Sequence, residues 1–425
     1  MMRITYPPAR WSIKLLDYCP FGLSPLVWYC CLMSDTLNLE AQQAIDGSLK
    51  RELTRLGWWG VFWLVGGSIL LGLSWHWQGA LQWFVQAGLV WAFLCYQTRL
   101  RLTLNRPSPE APLYKKLGWA NRVTLLRAWL VAAVAGFLLQ PWPDGPALSW
   151  LPGMLYLFAA VLDRVDGYVA RRTGQTSLLG IELDTISDAL GLAIASLLAF
   201  GYGQVHWSYL LFGIAYYLFS AGILWRNSRG LPVYPLPPAL HRRTWAGFQM
   251  GFLAVALWPL VYPPLTTLAG FAFMLPAVLG FLIDWLIVSG RIDRHAEAVD
   301  RRFQRLINFS QAVFQPGLRV AVVVTLAASL LQSGLPPLPS NNPTWMSNVM
   351  IGGFILVSVM LILGVAGRYF SLLLVGLLSW YYISNPMLAV DYILFSCVVW
   401  LLLLGTGGFS LWQEDDHWLN GYDGA

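Results

Sequence analysis

Apolar residues fall along the chain in twelve runs of about the length a bilayer requires. They lie near 58–75, 80–98, 121–140, 149–165, 181–201, 207–225, 245–262, 266–289, 318–333, 348–366, 369–385 and 390–405. Polar breaks group them as two, six and four, which predicts an all-α integral membrane protein with about 12 transmembrane helices around a six-helix core. Ahead of the first run, Ile45, Leu49, Leu53 and Leu56 recur at helical spacing beside Lys50, Arg51 and Arg55. That pattern predicts an amphipathic helix over 38–57 lying on the cytosolic surface. Five parts follow: a cytosolic tail with this helix (1–57), two leading membrane helices and a cytosolic linker (58–120), the core (121–290), a charged connector (291–316), and a four-helix membrane domain with its tail (317–425).

Composition agrees with the pattern. The 425 residues are 57% hydrophobic and 11% charged, against about 25% charged in soluble domains. Positive charge sets the orientation. With the N-terminus in the cytosol, the loops 76–79, 141–148, 202–206, 263–265, 334–347 and 386–389 fall outside, and none contains Lys or Arg, as the positive-inside rule requires. Both termini are therefore expected in the cytosol and the chain in the cell inner or plasma membrane, with no nucleic-acid partner. The five cysteines form no C-x-x-C pair, which argues against a disulfide framework or a zinc site. The first 32 residues contain Arg3, Arg10 and Lys14, but Pro20 and Pro25 break the apolar run and no small-residue cleavage site follows. A signal peptide is rejected on those grounds, and 1–32 read as an upstream extension before a start at Met33. An intact native mass that includes residue 1 would contradict that reading.

The chemistry concentrates between Asp163 and Asp188, written Asp163-x-x-Asp166-Gly167-x-x-Ala170-Arg171, eight residues, then Gly180-x-x-x-Asp184-x-x-x-Asp188. Aspartates three or four apart share a helix face, so two helices meeting there bring four carboxylates to one point. Each ionised carboxylate inside a membrane helix costs roughly 2.5–3.5 kcal/mol on insertion scales. A hard divalent cation, Mg²⁺ or Mn²⁺, offsets that cost and couples carboxylates to substrate phosphates. Gly167, Gly180 and Ala170 keep the face shallow for a ligand, and Arg171 offers a planar fork suited to phosphate.

This stretch resembles the signature of the CDP-alcohol phosphatidyltransferases, D-x-x-D-G-x-x-A-R-x8-G-x-x-x-D-x-x-x-D, at all eight fixed positions. The resemblance extends over roughly 121–290, and Asn121-x-x-Thr124-x-x-Arg127 looks, more loosely, like the family's first core helix. It implies transfer of a phosphatidyl or related phosphoalcohol group from a CDP-linked lipid donor to a small alcohol acceptor, with release of CMP. It also implies Asp163, Asp166 and Asp184 as metal ligands, and Asp188 as a further ligand or the base, the latter favoured because Asp188 lies one turn deeper than Asp184. Gly167, Ala170, Arg171 and Gly180 would form the CDP pocket, with Asn121 and Thr124 as weaker nucleotide contacts. Arg127 is expected only to anchor its helix end. A homodimer built on the core spans is a further implication.

Other features carry less. His241-Arg242-Arg243 ends a Pro-rich loop at the same cytosolic mouth, where Arg242 and Arg243 either hold an acceptor phosphate or serve as positive-inside anchors. The connector Arg291 to Asn308 reads as a cytosolic helix of mixed charge, either a solvated linker or a segment that binds headgroups or substrate, and His76, His206, His295 and His417 are isolated. Trp58, Trp59, Trp75 and Trp77 look like interface anchors. The last four spans end in a Gly-rich turn from Gly405, which weakly resembles the tail of DoxX-like membrane proteins; a structural or assembly role is expected there. Two other classes compete with the transferase. A transporter would need charges along a path through the membrane, whereas Asp144 and Asp391 are placed near the outer surface. A catalytically silent assembly protein is disfavoured by the intact motif.

Overall fold

The computed structural model describes residues 39–236, 240–292, 301, 305–333, 344–384 and 386–412. The extension 1–32, most of the charged connector and the tail beyond 412 lie outside the described residues, as do the side chains of Arg242 and Arg243. Among the described residues the fold is all helix, with one isolated bridge between Val365 and Trp412. Each of the twelve expected runs carries a helix or a bent helix pair. The leading pair is α1 (Leu39–Ser74) and α2 (Trp77–Leu100). The core is α3 (Gly118–Ala135), α4 (Leu151–Thr173), α5 (Leu178–Gly201), the short α6 (Leu210–Gly213), α7 (Ala215–Ser228), α8 (Leu240–Ala256) and α9 (Leu265–Val288). The C-terminal group is α10 (Gln315–Ser333), α11 (Thr344–Leu363), α12 (Gly367–Ser384) and α13 (Ala389–Leu404).

Among the described residues the expected twelve transmembrane spans are not confirmed: six helices are long and apolar enough to cross a membrane, or seven if the pair bent by 54° around Ile214 is one span. Several others are shorter apolar helices, such as Ala389–Leu404. Sixteen residues rise about 24 Å, less than the roughly 30 Å hydrocarbon core. The first core helix, α3, carries Asn121, Arg122 and Arg127; Asn121 and Arg127 belong to the site described below, and Arg122 pairs with Glu52 of α1.

A second expectation changes. The segment read as a separate surface helix is continuous with the first span, giving one helix of 36 residues. Its lower apolar face is not spent on lipid: Leu49 and Leu53 are buried with Leu102, Leu104 and Leu117 of the linker, Leu125 of α3, and Leu179 and Leu183 of α5. Glu52 completes the docking. It accepts from the Leu117 backbone N–H at 3.1 Å and from the Arg122 guanidinium at 2.6 and 3.1 Å. The lower end of α1 therefore clamps the start of α3.

Inside the bundle, indoles meet helix backbones at glycines. A Cβ on Gly60 would lie 2.5 Å from Trp91, and Trp129 Nε1 donates to the Gly60 carbonyl at 3.0 Å. Small residues at such crossings let helices approach closely in lipid, where packing and hydrogen bonds replace the hydrophobic drive. The run Val131 to Ala135 is buried throughout, which makes α3 the central post of the core, packed against α2, α4 and α5.

The C-terminal bundle joins the core where α13 packs on α9 and where the Arg368 guanidinium sits 5.5 Å over Phe248 of α8. Its Gly-rich turn is tied down by buried Arg319, which donates to the Gly408 carbonyl at 2.8 Å. Asp391, expected near the outer surface, is buried among side chains in the first turn of α13. It accepts the Leu388 N–H at 2.6 Å and a bond from Ser329 of α10, so it caps α13 and ties it to α10.

Replacing Glu52 with Ala leaves the Leu117 N–H and Arg122 without their acceptor, an expected loss of about 1–3 kcal/mol. The detergent-solubilised protein should melt several degrees lower; an unchanged melting temperature would contradict the docking of α1.

Candidate active site

The site forms where α4 ends and α5 begins, and the eight residues between Arg171 and Gly180 explain the spacing. Gly174 takes a left-handed conformation with φ of 61° and closes α4, the role for which a residue without Cβ is suited. Ser177 then caps α5, accepting from the Gly180 N–H at 3.0 Å. The turn is held from outside as well, because the Leu178 N–H donates to the Arg106 carbonyl of the linker at 2.9 Å. Chain reversal over this turn sets the last turns of α4 beside the first turns of α5.

One oxygen each from Asp163, Asp166 and Asp184 lies within 4.8 Å of the others. Asp188, one turn further along α5, joins them through a shared partner. That partner is Arg127 of α3. Its Nη1 bonds Asp163 and lies 3.8 Å from Asp166 and 3.4 Å from Asp188, while Nη2 bonds Asp184 at 2.7 Å. Nη2 also reaches the Asp184 backbone carbonyl at 3.1 Å. The Arg127 side chain is 2% exposed, whereas Asp163, Asp166, Asp184 and Asp188 are 25%, 9%, 47% and 33% exposed. The carboxylates thus line the floor of an open mouth with the cation beneath them. Oxygen donors of this number and hardness suit a divalent cation such as Mg²⁺ or Mn²⁺, so the residues present fit the metal.

Thr124 donates to Asp166 Oδ2 at 3.0 Å from one turn before Arg127. Asn121, a further turn back, is buried and fully engaged. It donates to Asn105 Oδ1 at 3.0 Å and to the Leu117 carbonyl at 2.7 Å, and accepts from Ser177 at 3.1 Å. A Cβ on Gly180 would come within 2.7 Å of Asn121 Oδ1, so Gly180 is the gap that admits this amide. Gly167 differs: a Cβ there would meet only the Arg171 guanidinium, at 3.4 Å. Arg171 is exposed with its fork over Gly167, and Ala170 is half-buried on the same turns of α4.

Below Asp188 the site continues into a small cavity of about 10 Å³, the space of a single water. Arg127, Tyr156, Ser187, Asp188 and Met250 are among the residues lining it. The Tyr156 hydroxyl and Arg127 Nε are buried without a hydrogen-bond partner among the described residues.

The structure gathers the four aspartates, Thr124, Gly167 and Arg171 at one mouth and places Asn121 and Gly180 in the network behind it. Sequence reasoning missed the placement of Arg127, assigning it only a helix-end role. The signal was present: Asn121, Thr124 and Arg127 recur every third position on one face, and an arginine inside an apolar run demands a partner. Tyr156 was also missed, although it stands seven residues before Asp163 and so on the same face of α4.

Residues 117–286 match the family model described as CDP-alcohol phosphatidyltransferase. The chain is also similar to a curated CDP-diacylglycerol--glycerol-3-phosphate 3-phosphatidyltransferase from Pectobacterium atrosepticum, 36% identical over 90 residues, which cover 20% of this chain and 48% of that protein. A protein of the same description from Cereibacter sphaeroides is 35% identical over 95 residues, covering 21% of this chain and 41% of that one. The chain thus spans about half or less of the length of the curated relatives it matches. No solved structure matches it.

Because Gly180 makes room for Asn121, Gly180→Ala should cost about 1–3 kcal/mol through overpacking. In a double-mutant cycle with Asn121→Ala, the combined loss in melting temperature should be smaller than the sum of the two single losses. Strict additivity would place the two residues out of contact.

Proposed function

We propose, from the CDP-alcohol phosphatidyltransferase domain at residues 117–286, that this protein transfers a phosphatidyl or related phosphoalcohol group from a CDP-linked lipid to an alcohol and releases CMP. The observation that carries the reading is the convergence of Asp163, Asp166 and Asp184 at a mouth bordered by Gly167 and Arg171. Glycerol 3-phosphate leads the candidate acceptors, because both curated relatives are named for it. The mouth lies at the cytosolic ends of α4 and α5 in the orientation that the loop charges favour, where a nucleotide-activated lipid is accessible.

Asp163, Asp166 and Asp184 are the residues that would hold a divalent cation, with Mg²⁺ or Mn²⁺ as its identity. Once bound, that ion supplies charge withdrawal from the attacked phosphorus and stabilises the leaving CMP. The chain's own residues do the rest. Thr124 fixes the Asp166 carboxylate through its 3.0 Å bond. The open surface of Gly167 lets the donor pyrophosphate lie against α4, and Arg171 pairs with its oxygens. Asp188 stands at the deeper end, bordering the cavity shared with Tyr156 and Ser187, and takes the proton of the acceptor hydroxyl. The acceptor oxygen forms the new bond to the β-phosphorus of the donor, the bond from that phosphorus to the CMP oxygen breaks, and the proton resides on Asp188. Arg242 and Arg243, carried on the first turn of α8, are proposed to bind an acceptor phosphate.

The test is CMP release by the purified protein with CDP-diacylglycerol and Mg²⁺ or Mn²⁺, across glycerol 3-phosphate, inositol, inositol phosphate and serine. Release that requires an acceptor and stops with EDTA is expected. Asp184→Asn should lose both metal-dependent CDP binding and turnover, whereas Asp188→Asn should retain most CDP binding and lose turnover. Equal loss of binding in the two variants would make Asp188 a ligand and not the base. Absence of any metal-dependent CDP binding in the native protein would overturn the transferase and favour a catalytically silent assembly protein.

A further inference from the structure

We infer that Arg127 is a built-in counter-cation of the aspartate site, which holds the four carboxylates together when no metal is bound and contends with the metal for their oxygens. The inference rests on the metal reading above and goes beyond it, since the proposed transfer gives Arg127 no task. Three observations support it. First, one guanidinium reaches all four aspartates, two through Nη1 and Nη2 hydrogen bonds and two more at 3.4 and 3.8 Å. Second, the group is buried beneath them on a different helix, α3, so it ties α4 to α5 through charge. Third, the oxygens of Asp163 and Asp184 that it bonds belong to the residues that converge within 4.8 Å as a metal-ligand set.

An arginine never gives up its charge, so the site is never left as four unpaired carboxylates in an apolar bundle. The same placement makes the two cations rivals. A divalent ion needs bonds of about 2 Å to the carboxylate oxygens, and oxygens engaged by the guanidinium must be released to it. Arg127 and Tyr156, whose Nε and hydroxyl are buried without a hydrogen-bond partner among the described residues, both line one small cavity beside Asp188, which leaves the released guanidinium polar company. Arg127 is on this reading a positioning residue. It arranges the carboxylates and sets how tightly metal is held, without touching the reacting atoms.

The test uses the full-length protein in detergent with Mn²⁺ as the probe, reading Mn²⁺ affinity by electron paramagnetic resonance and melting temperature with EDTA or saturating Mn²⁺. Arg127→Gln should bind Mn²⁺ at least about fivefold more tightly, since a unit positive charge has left the ligand set. Its melting temperature should fall clearly in EDTA and much less in saturating Mn²⁺. Arg127→Lys, which keeps the charge but not the fork, should lie between the two proteins in both readouts and serves alone if the glutamine variant does not accumulate. Unchanged or weaker Mn²⁺ affinity, or a melting-temperature loss equal in EDTA and in Mn²⁺, would overturn the inference and leave Arg127 a structural tie. Failure of the native protein itself to bind Mn²⁺ would overturn the metal reading, a distinct result.

Discussion

Four carboxylates held together inside an apolar bundle are the constraint on which the rest of this structure depends. Each would lower its own energy by reaching water or by losing its charge. The fold prevents the first by burying Asp166 and leaving the others only partly open. Arg127, placed among them, opposes the second. Breaking such an arrangement is strongly destabilising, because removing one member of a buried pair leaves an uncompensated charge. The site therefore holds a tension that the proposed divalent cation would relieve.

Much of the scaffold can be understood as fixing the angle between α4 and α5. Gly174 and Ser177 set the turn, and the linker holds it through the bond from Leu178 to the Arg106 carbonyl. Asn121 joins linker, α3 and α5 in one buried network. The lower half of α1 then secures the linker and α3 through Glu52 and the leucine cluster. The lower half of α1 is in this sense part of the site's foundation. The C-terminal bundle contacts the core through α9 and α8, and its buried Asp391 serves a helix cap.

The aspartate cluster was legible in the sequence because charge inside an apolar run is costly enough to be conspicuous, and its spacing alone places two pairs on helix faces. The helical class and the positions of the apolar runs were legible for the same reason. Continuity was not. Whether a polar-to-apolar transition such as that near Gly57 marks a break or the middle of one long helix depends on what the polar half packs against, and the leucines of a linker some fifty residues away decide it. Arg127 was hidden for a related reason: its partners lie 36 to 61 positions further along, and only the crossing of α3 with α4 and α5 brings them to it. Gly180 was read for ligand space, but its nearest neighbour is Asn121, a contact that spacing along one helix does not reveal.

The central claim, that these carboxylates form a metal centre in a nucleotide-lipid transferase domain, is tested most directly by anomalous X-ray diffraction from crystals grown with Mn²⁺ and a CDP-alcohol. The account predicts one or two manganese peaks among Asp163, Asp166 and Asp184, with the donor pyrophosphate on the Gly167 side and the Arg127 guanidinium withdrawn from at least one of its carboxylates. Manganese bound elsewhere, or a donor bound with Arg127 still holding all four aspartates and no metal among them, would contradict it.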